Sequence, residues 1–216
     1  MTHNLPLVRR TIPIGSRTWI IDTVDDEDAL LAHAETATQF PFGLMLWESA
    51  IALAQHLTQN PTLAAGKSTL ELGAGLGLTG VVAASLGAIV TQTDHDAAAL
   101  DACARTAALN GITGITRTPG DWHTWTNADR YDLILGADIF YDAENHSALL
   151  AIFDQALAPG GRILLSDPHR KNLTPFIAAA EAANWTVTRS DTTVLDLKLP
   201  AKLRPIALLD LRRQGT

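Results

Sequence analysis

From Lys67 onward, short apolar runs rich in β-branched residues alternate with longer segments whose apolar residues have helical spacing. Strands are predicted at the runs STLELGAG, AIVTQTD, ITRTPGDW, YDLILGADIFY and RILLSDP, and helices between them. Parallel strands need crossover helices of this kind. The rhythm therefore predicts βαβ units that build a parallel sheet with helices on both faces.

The two ends of the chain follow a different pattern. The runs TVTRSDTTVLDLKL and RPIALLDLRR have no helix between them, so they are predicted to be antiparallel neighbours that close the sheet. Near the start, TIPIGSRTWIIDTV places Gly15-Ser16 between two β-rich arms, which predicts a hairpin. The segment DEDALLAHAETAT predicts a short helix, and a second helix is predicted to begin near Glu48.

Composition limits the class of protein. The 216 residues are 47% hydrophobic and 18% charged, which is typical of a folded chain. A single domain over 1–216 is expected, with 1–40 as an N-terminal extension of hairpin and helix. The formal net charge of −7 disfavours nucleic acid as a general partner. Short apolar runs and the start MTHNLPLVRR give no indication of a membrane segment or signal peptide, and a lone Cys103 excludes an internal disulfide, so a cytoplasmic protein is expected.

The segment TLELGAGLGLTG is a candidate ligand loop, since it follows a predicted strand and opens a predicted helix. The dinucleotide pattern G-x-G-x-x-G, counted from Gly73, would need glycine at Leu78. A phosphate loop would need Gly-Lys-Ser/Thr, which is absent. The loop is therefore predicted to approach a ligand that has no diphosphate.

Asp94 ends the next predicted strand, about 20 residues beyond the loop. An acidic residue at that distance suits both hydroxyls of a ribose and would repel the 2′-phosphate of NADP. A nucleoside without a pyrophosphate fits both features.

With these residues in place, the sequence resembles a known group of enzymes. The segments ELGAGLG, TD, GDW and GADIFYD, in this order, resemble a class I S-adenosylmethionine-dependent methyltransferase. More narrowly, LMLWESAIALA and the D-x-x-Y of Asp138 to Tyr141 are similar to the family of protein-lysine methyltransferases that modify folding factors, elongation factors and the electron-transfer flavoprotein β-subunit. SDPHR is similar to the D-P-x-R of the flavoprotein branch, with His169 in place of glycine. The resemblance implies a Rossmann-like three-layer α/β sandwich with a seven-stranded, mostly parallel sheet.

The resemblance also implies how S-adenosyl-L-methionine would be bound. Gly73, Gly75 and Gly77 would pack against its methionine and ribose portions. Glu71 would lie near the methionine amino end, and Asp94 would bind the ribose hydroxyls.

Further contacts are implied at the adenine ring and the sulfonium. Asp121 would accept from the adenine amino group, with Trp122 beside the ring. Trp47 would help to close the pocket, and Ala137 and Asp138 would flank the sulfonium.

Asp138 and Tyr141 are the predicted catalytic residues. A lysine amine, with an ordinary pKa of about 10.4, must lose a proton before it attacks a methyl group. Asp138 would orient the amine by hydrogen bonds, while Tyr141 and Phe140 would shape a narrow channel that excludes water.

The sequence supports a ranking of functions. Methyl transfer to a lysine of a protein acceptor, by a monomer, stands first, and the acidic balance favours a basic acceptor. The alternatives are N-methylation of a small amine of the nicotinamide type and a non-catalytic cofactor-binding module. A dinucleotide oxidoreductase is weakened by Leu78. No pair of histidines has metal-ligand spacing, so no metal site is predicted.

Overall fold

The computed structural model describes residues 6–25 and 42–214. Within these ranges the chain forms nine strands and five α-helices. The strands are β1 Leu7–Ile14, β2 Arg17–Val24, β3 Ser68–Leu72, β4 Ile89–Asp94, β5 Thr116–Pro119, β6 Tyr131–Ala137, β7 Leu157–Asp167, β8 Trp185–Leu195 and β9 Leu203–Arg213. The helices are α1 Glu48–Gln59, α2 Leu78–Ser85, α3 Ala97–Leu109, α4 His146–Ala156 and α5 Leu173–Ala182.

Seven strands form one sheet in the order β5-β4-β3-β6-β7-β9-β8. The first five are parallel to one another, while β9 runs antiparallel to both of its neighbours, β7 and β8. The mostly parallel sheet with an antiparallel C-terminal pair is confirmed. β9 lies inside the sheet because its segment IALLDL is apolar enough to be covered on both faces, whereas β8 at the edge carries mostly exposed residues.

Side chains alternate across the sheet and divide the hydrophobic core in two. Leu133 and Leu164 pack with one cluster of buried residues, while their neighbours Ile134 and Leu165 pack with the other. Helices α1, α2 and α3 contribute to the first cluster, and α4 and α5 to the second. The chain therefore has the predicted three layers, helix–sheet–helix.

The N-terminal hairpin of β1 and β2 is confirmed, with its turn at Gly15. It packs on the first core cluster through Trp19, which is almost fully buried. Asn110, just after α3, fixes it further: its amide oxygen accepts from Ile20 N at 2.9 Å and its amide nitrogen donates to Ile20 O at 2.7 Å. The side chain of Asn110 thus pairs with β2 in the way that a neighbouring strand would.

Two predicted helices differ from the structure or fall outside it. The predicted helix DEDALLAHAETAT lies in 26–38, outside the described residues. The helix predicted to run to Pro-Gly-Gly ends earlier, at Ala156. Leu157 is already extended there, since it pairs with Tyr131 and its carbonyl accepts from Arg130 NH1 at 2.8 Å.

Candidate active site

The order of the sheet strands reverses between β3 and β6, and open α/β sheets bind ligands at the carboxyl ends of the strands at such a point. The loop after β3 contains Gly73, Gly75 and Gly77, with φ angles of 60°, 54° and 74°. A Cβ on Gly73 would lie 3.0 Å from the ring of Trp122, and one on Gly77 only 2.5 Å from Gln92 Nε2. Left-handed backbone and close packing together explain why these positions are glycine.

Glu71 lies beneath this loop and is almost completely buried. Its Oε1 accepts from Gly80 N at 3.0 Å, and its Oε2 accepts from Gln92 Nε2 at 2.8 Å. Burial raises the pKa of Glu71 to about 7. The carboxyl group therefore ties the end of β3 to the first turn of α2, and its predicted position near the methionine amino end stays a prediction.

Asp94 ends β4 directly beside the loop. Its Oδ2 accepts from Gly75 N at 3.0 Å, and its Oδ1 accepts from Asp96 N at the same distance. Only 6% of Asp94 is exposed, and burial raises the pKa of its carboxyl group. Gly43 packs against the glycine loop beside Asp94, since a Cβ added to Gly43 would lie 3.6 Å from Gly75 Cα. The structure thus places Asp94, which is predicted to bind the ribose hydroxyls, directly against the glycine loop.

Asp121 and Trp122 follow β5. Asp121 caps a short 3-10 helix, Trp122–Thr124, by accepting from His123 N at 2.7 Å. The indole of Trp122 lies against Gly73, and its ring centroid lies 6.3 Å from that of Tyr141. Trp122 therefore forms a wall between the glycine loop and the predicted channel, while the predicted adenine contact of Asp121 remains untested.

Ala137 is the last residue of β6, and Asp138 follows it with a φ of 59°, which L-residues rarely adopt. Asp138 N donates to Ser166 O at 2.8 Å, which fixes this turn to the end of β7. The carboxylate of Asp138 accepts two hydrogen bonds from Arg170, Nε to Oδ1 at 2.5 Å and NH2 to Oδ2 at 2.7 Å. This bidentate ion pair was not predicted, although both residues lie in motifs that the sequence displays.

Tyr141 and Phe140 have different surroundings. Tyr141 is half exposed, and burial of the rest, with three nearby carboxylates, raises the pKa of its hydroxyl. Asn172 Nδ2 donates to Tyr141 O at 2.9 Å and holds the segment to the start of α5. Phe140 is fully buried and stacks on Phe176 with centroids 4.1 Å apart. The prediction that Phe140 lines the channel is therefore wrong, because its position in the turn directs it into the core.

Trp47 immediately precedes α1 and is half-buried at the same edge. Its Nε1 donates to Phe42 O at 3.1 Å, and the guanidinium carbon of Arg170 lies 5.7 Å from the centroid of its ring. Trp47 therefore adjoins the Asp138–Arg170 pair.

Taken together, the predicted residues lie at one edge of the sheet. They follow the carboxyl ends of β3 to β6 or adjoin them: Trp47, Glu71, Gly73, Gly75, Gly77, Asp94, Asp121, Trp122, Ala137, Asp138 and Tyr141. In the part of the chain that the structure describes, no three His, Cys, Asp or Glu side chains are grouped to hold a metal ion. No helix in residues 6–25 or 42–214 is both long and apolar enough to cross a membrane.

Known proteins resemble this chain in sequence. A protein N-lysine methyltransferase of Danio rerio is 38% identical over 129 residues, which covers 56% of this chain and 59% of that protein. An electron transfer flavoprotein beta subunit lysine methyltransferase of Rattus norvegicus is 33% identical over 132 residues, covering 60% and 51%. A histone-arginine methyltransferase of Rattus norvegicus is 32% identical over 132 residues, covering 58% and 59%. The chain spans a little over half the length of these curated relatives.

Solved structures resemble its fold. A 16S rRNA methyltransferase of T. thermophilus, in complex with AdoMet and guanosine, superposes with a TM-score of 0.66 at 16% identity, covering 98% of this chain and 52% of that one. A glycopeptide N-methyltransferase complexed with (S)-adenosyl-L-methionine gives a TM-score of 0.59 at 16% identity, covering 75% and 87%. At such low identity the likeness shows the fold alone.

A family model described as lysine methyltransferase matches residues 25–182. This range extends from the end of β2 through α5 and includes the glycine loop, Asp94 and the D-x-x-Y segment. More than half of the chain is matched, and the family is the one that its motifs resemble. The chain belongs to the lysine methyltransferase family.

Proposed function

We propose that this protein transfers a methyl group from S-adenosyl-L-methionine to a lysine side chain of another protein. One observation carries the proposal: the buried Asp94, bonded to the glycine loop, lies at the same sheet edge as the turn from Asp138 to Tyr141. The residues proposed to bind the nucleoside are thus adjacent to those proposed to bind the acceptor. Membership of the lysine methyltransferase family supports the same chemistry.

The residues of the first half fit this cofactor. Gly73 and Gly75 carry no side chain where a Cβ would meet Trp122 or Gly43, so the loop backbone packs closely against both residues at the proposed binding edge. Asp94 has two carboxylate oxygens for the hydroxyls of a ribose. Trp47, Asp121, Trp122 and Ala137 complete the proposed contacts. When bound, the cofactor supplies an electrophilic methyl group on a sulfonium that departs as a neutral thioether.

The chain's own task is then to position an uncharged amine and exclude water. Asp138 is proposed to accept a hydrogen bond from the amine, since a carboxylate has about four acceptor sites and Arg170 uses two. Tyr141, half exposed beside Trp122, is proposed to line the entry of the acceptor side chain. Its ring offers a cation–π contact of about 0.5–2 kcal/mol to a methylated ammonium.

The remaining features of the proposal concern the molecule as a whole. We propose that residues 1–216 form one methyltransferase domain that acts as a cytoplasmic monomer. The net charge of −7 would steer a basic protein acceptor towards it and disfavour nucleic acid.

A labelling experiment tests the function. The purified protein is incubated with cell lysate and S-adenosyl-L-methionine that carries a labelled methyl group. The expected result is a labelled protein band whose acid hydrolysate contains methyl-lysine. Methyl-arginine instead, as the named activity of one relative suggests, would overturn the lysine assignment but retain methyl transfer.

Other outcomes would overturn more of the proposal. Label confined to small soluble products would indicate a small-amine methyltransferase. Calorimetric binding of the cofactor without any labelled product would indicate a non-catalytic module. The Asp138→Ala variant should lose most turnover while it keeps most of its cofactor affinity. Loss of cofactor binding in that variant would assign Asp138 to the cofactor pocket instead.

A further inference from the structure

The carboxylate of Asp138 is engaged on both oxygens by Arg170, and the side chain of Asp138 is only 4% exposed. A planar guanidinium fits a carboxylate in this parallel geometry with high directional specificity. The group proposed to receive the acceptor amine is therefore half of an ion pair, with its negative charge largely compensated.

Several contacts hold Arg170 in place. Its backbone N donates to Oδ1 of the fully buried Asp167 at 2.6 Å, and its carbonyl accepts from Leu173 N at 3.0 Å as α5 begins. Its guanidinium also lies above the ring of Trp47. The backbone and the guanidinium of Arg170 are thus both held in place. The arginine of an ordinary surface ion pair is more mobile.

Neutralisation of Asp138 has a direct chemical consequence. A carboxylate within about 4–6 Å of an amine stabilises its charged form and raises the pKa of that amine by about 1–3 units. Only the neutral amine has a lone pair for the methyl group, and at pH 7 a lysine is neutral in only about one molecule in 2,500. A free carboxylate at this point would reduce that fraction further.

We propose, building on the proposed function, that Arg170 is a positioning residue that cancels the charge of Asp138 and so allows the acceptor amine to enter the channel uncharged. Asp138 keeps lone pairs to orient the amine, while the amine gives up its proton to solvent on entry. With Arg170 in place, the carboxylate of Asp138 can still orient the amine by hydrogen bonds, but it no longer stabilises the charged form of that amine.

Other charged groups surround the pair and affect the size of the effect. Asp167 and Glu48 add negative charge near Arg170, while Arg204, ion-paired with Glu48 and Asp196, adds positive charge. Among the described residues, Tyr141 also interacts electrostatically with Asp138, and His169 with Asp167. All of them remain in an Arg170 variant, so a change in pH dependence on substitution reports the guanidinium itself.

The test is the pH dependence of methylation between pH 6 and 11, with the labelled lysate protein as acceptor. In Arg170→Met, the rising limb of the rate profile should move up by about one pH unit, because Asp138 now stabilises the ammonium form. At pH values well below the midpoint of the limb the rate should be about tenfold lower than in the wild type, and it should approach the wild-type rate only above the shifted midpoint. Arg170→Lys should give a smaller shift. Lys67→Met, which removes one positive charge at the opposite edge of the sheet, should leave the profile unchanged.

A double variant, Asp138→Asn with Arg170→Met, removes both charges and should return the limb to its wild-type position at a lower maximal rate. A limb whose midpoint does not move in Arg170→Met, with a lower rate on both sides of that midpoint, would overturn the inference, because it would indicate a purely structural role. An inactive wild-type protein would instead overturn the proposed function. If Arg170→Met does not fold, Arg170→Gln takes its place, and an unshifted limb in that uncharged variant would overturn the inference on its own.

Discussion

Gln92 Nε2 donates to Glu71 Oε2 at 2.8 Å and so links the neighbouring strands β3 and β4 beneath the glycine loop. The same nitrogen donates to Gly77 O at 3.1 Å. The side chains of Gln92 and Glu71 are both buried. The amide of Gln92 therefore holds the carboxyl group of Glu71, near the end of β3, and the end of the glycine loop at Gly77. The shape of the proposed cofactor site thus depends on a buried polar network.

Substitution of Glu71 by Gln should change how stability depends on pH. The pKa of Glu71 is about 7 in the folded state, above its ordinary value of 4.5, so the folded state binds the proton more tightly. The stabilisation that protonated Glu71 adds to the free energy of unfolding is complete below pH 4.5, and it is lost as pH rises to 7. The loss approaches about 3 kcal/mol. Urea unfolding of the wild type and of Glu71→Gln, measured at steps from pH 5 to 8, should show this decline only in the wild type. Parallel plots of unfolding free energy against pH for the two proteins would contradict the prediction.

Asp94→Asn should weaken cofactor binding. The amide keeps one acceptor oxygen but loses the charge that strengthens hydrogen bonds to ribose hydroxyls, so the Kd for S-adenosyl-L-methionine should rise about 10- to 100-fold. Isothermal calorimetry measures this Kd directly. Asp101→Asn, an exposed acid on α3, is the matched control and should bind like wild type. An equal Kd for all three proteins would show that Asp94 does not hold the ligand.

Gly73→Ala and Gly111→Ala form a matched pair of substitutions. Both glycines have left-handed backbone, with φ of 60° and 67°, so each alanine should cost about 1–2 kcal/mol in unfolding free energy. A Cβ at Gly111 meets nothing within 4 Å, while one at Gly73 meets Trp122 and Ile139 at 3.0 and 3.2 Å. Only Gly73→Ala should therefore displace the indole and abolish cofactor binding in calorimetry. Wild-type affinity in Gly73→Ala would exclude this loop as the binding site.

Asn110→Ala should destabilise the attachment of the N-terminal hairpin. The substitution removes three hydrogen bonds, two to Ile20 and one to Thr106 O, and leaves the part-buried N–H and C=O groups of Ile20 without these partners. The expected loss is about 2–4 kcal/mol of unfolding free energy. Asn60 also follows a helix, but its amide donates to His56 O at an exposed position. Asn60→Ala should cost less than about 1 kcal/mol, and equal losses in thermal or urea unfolding would contradict the specific role of Asn110.

Local patterns were enough to predict much of this protein. The alternation of strands and helices depends on the residues within each segment, so the three layers and both hairpins could be read before any contact was known. The glycine loop and Asp94 were identified because they lie at the ends of predicted strands, and the turn at Asp138 because its D-x-x-Y resembles that of a known family. Carboxyl ends of parallel strands meet at one edge, which places these residues together without knowledge of their side-chain contacts.

Partnerships between distant segments were decided by the tertiary structure alone. Arg170 and Asp138 are 32 residues apart, and Asn110 and Ile20 are 90 apart, so no local periodicity relates them. The burial of Phe140 against Phe176 likewise depends on how α5 packs on the sheet. A sequence determines which segments are apolar or can turn, because these properties are local. The direction of a side chain and the charge beside it follow from packing, which brings together residues that the chain keeps apart.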